Sequence, residues 1–176
     1  MNLLRLFSRK PMFSDGEIDL VLSNQDVSDP DAGIEDGYLF CIYPAGTRDY
    51  AGYVSLRLGE SPALYYLGHI GYRIEEDHRG RGYAEKACRL LLPLLGRLHL
   101  GSVVITANVE NAPSRRTAEK LGCVLERIAP VPPEYRLICG GATQKCRYIW
   151  RMAGPAAAYN NPMRNTGGAK IDCQGR

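Results

Sequence analysis

A glycine- and arginine-rich segment between two apolar runs constrains the fold of this chain more than any other feature. The segment spans residues 75–84 and reads Glu-Glu-Asp-His-Arg-Gly-Arg-Gly-Tyr-Ala. Residues 64–74 before it are apolar and aromatic, and residues 83–98 after it repeat apolar side chains at helical spacing. This order predicts a strand, a loop and a helix, with Gly80 and Gly82 where the backbone turns.

The same segment has the composition of a phosphate-binding loop. Gly80 and Gly82 carry no Cβ, so the backbone can come close to a ligand. The N–H groups at the start of the following helix favour an anion, because the helix dipole is positive there. Arg79 and Arg81 add charged donors that suit a phosphate. We therefore predict a pyrophosphate site here; a solvated surface turn is the alternative for the two arginines.

The spacing of this loop matches one phosphate motif and excludes two others. The dinucleotide signature G-x-G-x-x-G needs a small residue where Glu85 stands, and the P-loop signature G-x-x-x-x-G-K-[ST] is absent. The pattern [Q/R]-x-x-G-x-[G/A] does fit, at Arg79, Gly82 and Ala84. It resembles the acetyl-coenzyme-A loop of the GNAT N-acetyltransferase superfamily.

A second segment supports this resemblance. Residues 108–122 read Asn-Val-Glu-Asn-Ala-Pro-Ser-Arg-Arg-Thr-Ala-Glu-Lys-Leu-Gly. They are similar to the asparagine-then-helix segment of the same superfamily, closest to its RimJ/RimL-like branch. The phrase Gly-His-Ile-Gly-Tyr at residues 68–72 also resembles that branch. The resemblance covers roughly residues 18–152.

Hydrophobic periodicity predicts an α+β fold, with a mixed, mostly antiparallel sheet and flanking helices. The predicted strands are 17–22, 38–43, 50–58, 64–74, 103–107, 123–128 and 143–152, and the predicted helices are 83–98 and 111–121. Pro93 should kink the first helix, because it removes a backbone donor. GNAT relatives usually place two helices between their first two strands. Only residues 23–37 are available here, so we expect this helical pair to be truncated.

The length of 176 residues suggests one domain. We place the acetyltransferase domain at residues 17–153, after an N-terminal arm at 1–16. Residues 154–176 turn to Gly, Asn, Pro and Ala, which predicts a disordered tail.

Composition excludes several other classes. No apolar run is long enough to span a membrane, and a net charge of +3 is too weak to argue for nucleic acid. The leucines near the N-terminus are interrupted by Arg5 and too few for a signal peptide, so a cytoplasmic protein is expected. There is no C-x-x-C pair, so no metal site is predicted. The oligomeric state stays open, and a homodimer is one option.

The resemblance implies transfer of the acetyl group of acetyl-CoA directly to a primary amine of a small molecule or protein N-terminus. It implies that the cofactor lies along one strand, the loop and the start of the second helix. The implied cofactor-binding residues are Tyr72, Arg73, Ile74, Arg79, Gly80, Arg81, Gly82, Tyr83, Ala84, Asn108, Asn111 and Ser114. A plain helix N-cap is a compatible alternative for Asn111.

Three side chains are the candidates for catalysis. His69 stands where RimL-like relatives often carry Glu, and its ordinary pKa of about 6.5 suits a base; a structural histidine is the alternative. Ser114 matches the serine that lies near the thiol in RimL-like relatives, or is simply a hydroxyl in a first helical turn. Tyr135 lies about where many GNAT enzymes place an acid tyrosine. Tyr148 competes with it, although strand alternation assigns Tyr148 to the core.

Two rival functions and one acceptor hypothesis remain open. A non-catalytic acyl-CoA-binding or sensing module would explain the truncated acceptor region. A nucleic-acid-binding domain would use the arginines, but aromatic residues are not interleaved with them. Residues 23–37, the acidic segment, hold five carboxylates and no Lys or Arg. This segment would attract a cationic acceptor if it lined the acceptor site, or it is a solvated loop without a partner.

Overall fold

The computed structural model describes residues 10–25 and 28–152, which form an eight-stranded sheet and five α-helices within those ranges. The predicted tail at 154–176 and most of the predicted arm lie outside the described residues. Of the arm, Phe13 and Ser14 pair with the strand that contains Leu20 and Asp19. None of the helices in the described ranges is long and apolar enough to cross a membrane.

The sheet is antiparallel except at one junction. Its strands are β1 (Phe13–Ser14), β2 (Ile18–Gln25), β3 (Asp36–Pro44), β4 (Gly52–Leu58), β5 (Ile70–Ile74), β6 (Ser102–Asn108), β7 (Val124–Pro130) and β8 (Gln144–Arg151). They follow the spatial order β1-β2-β3-β4-β5-β6-β8-β7, and only β5 and β6 pair in parallel within the described sheet. The predicted α+β class and mostly antiparallel sheet are confirmed.

Five α-helices lie between these strands in the described part of the chain. They are α1 (Pro62–Leu67), α2 (Tyr83–Leu90), α3 (Leu92–Arg97), α4 (Ala112–Lys120) and α5 (Pro133–Arg136). The helical stripe predicted at 83–98 is interrupted at Leu91, and Pro93 lies in the first turn of α3. The predicted break near Pro93 is therefore confirmed.

The predicted strand at 64–74 was wrong in its first half, because residues 62–67 form α1. Ser61 is its N-cap: the Oγ accepts a hydrogen bond from Leu64 N–H at 3.0 Å. Pro62 follows in the first turn, where its missing donor costs nothing. The Ser-Pro start signal outweighed the strand propensity of two tyrosines and two leucines. The strand itself begins only at Ile70.

The two faces of the sheet have different partners. Ile70, Tyr72 and Ile105 pack in the main core with buried residues of α2, α3 and α4. Strand alternation therefore turns Gly71 and Thr106 to the opposite face. There, Thr106 Oγ1 donates to two carbonyl oxygens near the end of α1, each at 2.9 Å. Hence α4 and α1 lie on opposite sides of the sheet.

The acidic segment supports α1. Ala32 and Ile34 are buried against Ala63 and Leu64 in a small second core. Ser61 Oγ also donates to Ala32 O at 2.6 Å, which joins the segment to the start of α1. Ala32 and Ile34 thus form the base against which α1 packs.

We expect Gly52→Ala to destabilise the fold strongly. Gly52 begins β4 with a φ of +141°, and an added Cβ would lie 2.1 Å from the carbonyl oxygen of Arg73. Strain of this kind costs on the order of 1–3 kcal/mol before the clash is counted. Denaturant unfolding should show the loss as a lower midpoint. Gly101→Ala is the control, because its Cβ would meet no atom within 4 Å; equal stability of both variants would contradict the β4–β5 register.

Candidate active site

A cleft opens where the two parallel strands separate. β5 and β6 pair at a single register position, Ile70 with Ile105. Beyond it, a cleft of about 210 Å³ lies between Gly71 and Tyr72 on one side and residues 106–108 on the other. In the described chain no strand pairs with this edge of β5 past Ile70. The backbone donors and acceptors of that edge can therefore serve a ligand.

Hydroxyl groups line the cleft on the side of α4. The Tyr72 hydroxyl lies 3.0 Å from Ser114 Oγ and donates to Ser114 O at 3.2 Å. Burial raises the pKa of Tyr72, so the phenol remains a neutral hydrogen-bond donor. Asn111 Oδ1 accepts from Ser114 N–H at 3.1 Å, so Asn111 is the N-cap of α4 and also lines the cleft.

Two cationic side chains line the cleft on the side of α1. Arg57 from β4 donates from Nη1 to Gly68 O at 3.2 Å. It lies against the backbone of β5, since a Cβ on Gly71 would be 2.7 Å from Arg57 Nη2. Lys145 enters from β8, opposite Asn108. Burial lowers the pKa of Arg57 and of Lys145, and the charge of Arg57 lowers the pKa of Lys145 further.

The glycine loop after β5 presents an open surface at the start of α2. Gly80 and Gly82 have φ values of +77° and +75°, and a Cβ on either would meet no atom within 4 Å. Gly82 is the N-cap of α2, and no side chain caps that helix. Arg79 Nε donates to Ile74 O at 3.1 Å and Arg81 Nη2 to Asp77 O at 3.2 Å. Both guanidinium groups are exposed and keep further donors for an anion.

The sequence motif predicted this glycine loop between a strand and a helix, and a family comparison agrees with the motif. The family model of the acetyltransferase (GNAT) domain matches residues 14–124, more than half of the chain. The chain belongs to the GNAT acetyltransferase family. No curated protein sequence is significantly similar to this GNAT chain.

Solved structures share the fold. One described as a ribosomal-protein-serine acetyltransferase from Vibrio cholerae is 25% identical, with a TM-score of 0.52 over 66% of this chain and 64% of that chain. RimL, a ribosomal α-N-protein acetyltransferase in complex with coenzyme A, is 20% identical, with a TM-score of 0.50 over 66% and 62%. An acetyltransferase from Agrobacterium tumefaciens is 24% identical, with a TM-score of 0.50 over 66% and 61%.

These comparisons confirm the predicted superfamily, and the Vibrio cholerae ribosomal-protein acetyltransferase, at 25% identity, agrees with its RimJ/RimL-like branch. The GNAT chain spans less than two thirds of the length of these matched structures.

The structure brings Tyr72, Asn108, Asn111 and Ser114 together in the cleft of this GNAT chain. Arg73 and Ile74 continue β5 from the cleft toward the loop, which residues 79–84 complete. The predicted cofactor residues therefore lie between the strand opening and the N-terminus of α2.

His69 lies outside the lining of the cleft, just before β5. The backbone N–H of His69 donates to Val104 O at 2.8 Å, and its ring Nδ1 accepts from the backbone N–H of Val104 at 3.1 Å. Because Nδ1 accepts, the proton of the neutral ring lies on Nε2. Burial lowers the pKa of His69, and the nearby charges of Arg147 and Arg57 lower it further. This geometry argues against a base in the cleft and favours a structural link between β5 and β6.

Tyr135 is also placed away from the cleft. It lies on α5, where its ring stacks on Tyr66 with centroids 5.4 Å apart. Val131 and Cys139 complete its surroundings in a small apolar cluster. Among the described tyrosines, Tyr72 is the one whose side chain lines the cleft. Tyr148 is buried in the core, as strand alternation predicted.

Sequence reasoning missed Arg57 and Lys145 as residues of the site. The signal was weak, because each alternates with core residues of its strand in the way that solvent-facing side chains do. The sequence also suggested that the acidic segment lines the acceptor site, but none of the described residues of that segment lines the cleft. Asp29 instead closes a local turn, accepting from Ala32 N–H at 3.2 Å.

The role of His69 can be tested through stability. His69→Ala should lower the free energy of unfolding by about 1–3 kcal/mol, because Val104 N–H loses its acceptor. His69→Asn should lose less, since Asn Oδ1 can stand in for Nδ1. The lowered pKa of folded His69 means that the unfolded chain binds the proton more readily. Wild-type stability should therefore fall as the pH drops below about 6.5.

This loss on acidification should shrink in His69→Asn, measured by urea unfolding at pH 7 and pH 5. Acetyl transfer by His69→Asn should stay within a few-fold of wild type. A fall of about 100-fold in its kcat, with unchanged stability, would restore the base role.

Proposed function

We propose that this GNAT chain is an acetyl-CoA-dependent N-acetyltransferase that acts directly on the primary amine of a small molecule or protein N-terminus. The observation that carries the proposal is the separation of β5 from β6 beyond Ile70. The opening leads along β5 to a glycine-rich helix N-terminus that no side chain caps. A long, thin ligand with amides at one end and phosphates at the other fits such a path.

The residues present fit acetyl-CoA at both ends. The unpaired edge of β5 offers backbone groups to the amides of the pantetheine arm, in the manner of an added strand. Beyond β5, the N–H groups at the start of α2 and the side chains of Arg79 and Arg81 suit the pyrophosphate. The open space at Gly80 and Gly82 lets the phosphates reach the backbone.

Bound acetyl-CoA would supply a thioester carbon that an amine can attack. The new bond joins the amine nitrogen to the acetyl carbon, and the carbon–sulfur bond breaks. The nitrogen loses one proton, and the leaving thiolate gains one. Ser114 places a hydroxyl donor in the cleft for that sulfur, and the Tyr72 hydroxyl, 3.0 Å from Ser114 Oγ, holds that side chain in place. Backbone N–H groups on the open edge of β5 can stabilise the tetrahedral oxyanion.

A covalent acyl-enzyme is not part of this proposal. Burial raises the pKa of Cys88, and it raises the pKa of Cys123 to about 11, so both thiols stay protonated near neutral pH. Neither lines the cleft. Direct attack by the amine is the mechanism that these residues support.

The acceptor class is broad at this level. The Vibrio cholerae structure, 25% identical, is described as a ribosomal-protein-serine acetyltransferase, which supports a protein amine as one possibility. A non-catalytic acyl-CoA-binding module is less favoured, because the Ser114 and Tyr72 hydroxyls lie in the cleft itself. A module that only bound the cofactor would need the strand edge and the glycine loop, but no hydroxyls in the cleft.

Gly82→Ala should weaken acetyl-CoA binding about tenfold or more, since a methyl group would occupy the surface that the phosphates need. Gly46→Ala is a matched control: Gly46 has a φ of +72° and also an open Cβ position, but lies in the turn after β3. Isothermal titration should show near wild-type affinity for that control. Failure of the wild type to bind acetyl-CoA or coenzyme A would refute the proposed function.

Ser114→Ala should lower kcat roughly 10- to 100-fold while changing the KM for acetyl-CoA little, because one donor to the leaving sulfur is lost. The N-cap bond survives, since it uses the backbone N–H of residue 114. Ser102→Ala, at the exposed start of β6, is the control and should behave as wild type. Steady-state kinetics measure both; an unchanged kcat in Ser114→Ala would leave the hydroxyl without a part in the chemistry.

A further inference from the structure

Resting on this proposed activity, we propose that the acceptor is an anionic amine: a primary amine with a carboxylate beside it, which Arg57 and Lys145 bind. A free α-amino acid and a peptide N-terminus followed by an acidic residue share this chemistry. Cationic acceptors such as polyamines are then poor substrates.

The sheet divides the cleft into a donor side and an acceptor side. Tyr72 and Ser114 lie on the α4 side, which the glycine loop and α2 continue. Acetyl-CoA on that surface brings its thioester into the strand opening from the α4 side. The amine must then approach from the opposite side, where α1 and the ends of β4 and β8 stand.

The acceptor side carries positive charge and no carboxylate. Its lining includes Arg57, Lys145, Thr106 and Asn108, and no Asp or Glu is among the described residues that line the cleft. The Thr106 hydroxyl already donates to carbonyl oxygens at the end of α1. Arg57, Lys145 and Asn108 offer hydrogen-bond donors to a ligand. A carboxylate is the group that such a set binds best.

Neither cation has an acidic partner among the ion pairs of the described chain. Arg147, two residues from Lys145, shows the contrast: its Nε donates to Glu126 Oε2 at 2.8 Å and its guanidinium lies over the ring of Tyr65. The charge of Glu110 counters the lowering of the Lys145 pKa by burial, but Glu110 is exposed and forms no ion pair with it among the described residues.

Half-buried cations without an anion are costly, and a ligand carboxylate would offset that cost. Burial lowers the pKa of both side chains, which reflects the same cost. A positive field has a second effect, because it disfavours the ammonium form of a bound amine and so favours the neutral nucleophile. The two cations would thus orient the acceptor through its carboxylate and help its amine to lose a proton.

The test measures acetylation by the full chain with acetyl-CoA and paired acceptors, using mass spectrometry of the product. One arm uses the amidated tripeptides Ser-Glu-Ala, Ser-Gln-Ala and Ser-Lys-Ala, which share the same N-terminal residue. The other arm uses free alanine and alaninamide, and each rate is divided by the concentration of the unprotonated amine. The two arms separate a peptide acidic side chain from a free α-carboxylate as the source of the anion.

At low salt, kcat/KM for the Glu peptide should exceed that for the Gln peptide about tenfold, and that for the Lys peptide by more. The preference should weaken as ionic strength rises. Preference for free alanine over alaninamide, without a peptide preference, would support the amino-acid source instead. A Lys peptide that is acetylated as well as the Glu peptide, with no preference for free alanine, overturns the inference and leaves the proposed function intact.

The variants assign the preference to the cleft. Lys145→Met should reduce the anion preference to within about threefold, and Lys145→Glu should reverse it. Lys120→Met, an exposed lysine at the end of α4, is the control and should keep the wild-type preference. Thermal unfolding checks that each variant is folded, and the preference of the wild type stands as a test without any variant.

Two further outcomes count against the inference in different ways. If Lys145→Met raises the KM for acetyl-CoA and leaves the acceptor preference unchanged, the cation serves the donor and the inference falls. If the wild type binds acetyl-CoA but acetylates none of the acceptors, the proposed transferase function fails and the acceptor inference fails with it.

Discussion

The single parallel register pair between Ile70 and Ile105 is the constraint on which the rest of this structure depends. It holds two halves of an otherwise antiparallel sheet together and lets them separate immediately afterwards. Just before the pair, His69 and Val104 exchange two hydrogen bonds, and Thr106 is tied to the end of α1. The junction is therefore firmly held at one end and open at the other, which gives a cleft with a free strand edge.

That opening also explains how charge is distributed around the cleft. The α4 side has a helix N-terminus and neutral hydroxyls, which suit phosphates and a leaving sulfur. The α1 side has Arg57 and Lys145, whose charges have no acidic partner among the described ion pairs. In the proposed reaction, a sheet that separates these environments keeps the two substrates apart until they meet in the gap. The inferred acceptor class follows from that separation.

The prediction from sequence succeeded where a local pattern has one physical meaning. The loop at residues 79–84 combines glycines at positive φ with a helix start, and the structure places both as expected. It failed at α1, where a Ser-Pro cap outweighed an aromatic run that favours a strand. Because α1 ends at Leu67 and β5 begins only at Ile70, His69 lies in the link between them and outside the lining of the cleft. Tyr135 was misplaced because spacing along the chain does not say which ring it will stack on.

The sequence by itself determined the family, the alternation of the strands and the glycine loop before α2, because each depends on residues close together in the chain. Only the tertiary structure decided which side chains meet in the cleft. Arg57 and Lys145 lie 88 residues apart in the sequence, and each looks like an ordinary solvent-facing position when read along the chain. Of the acidic segment, which suggested a cationic acceptor, Ala32 and Ile34 pack against α1, and none of its described residues lines the cleft. The sign of the charge at the acceptor side is thus a property of strand order, which no local pattern encodes.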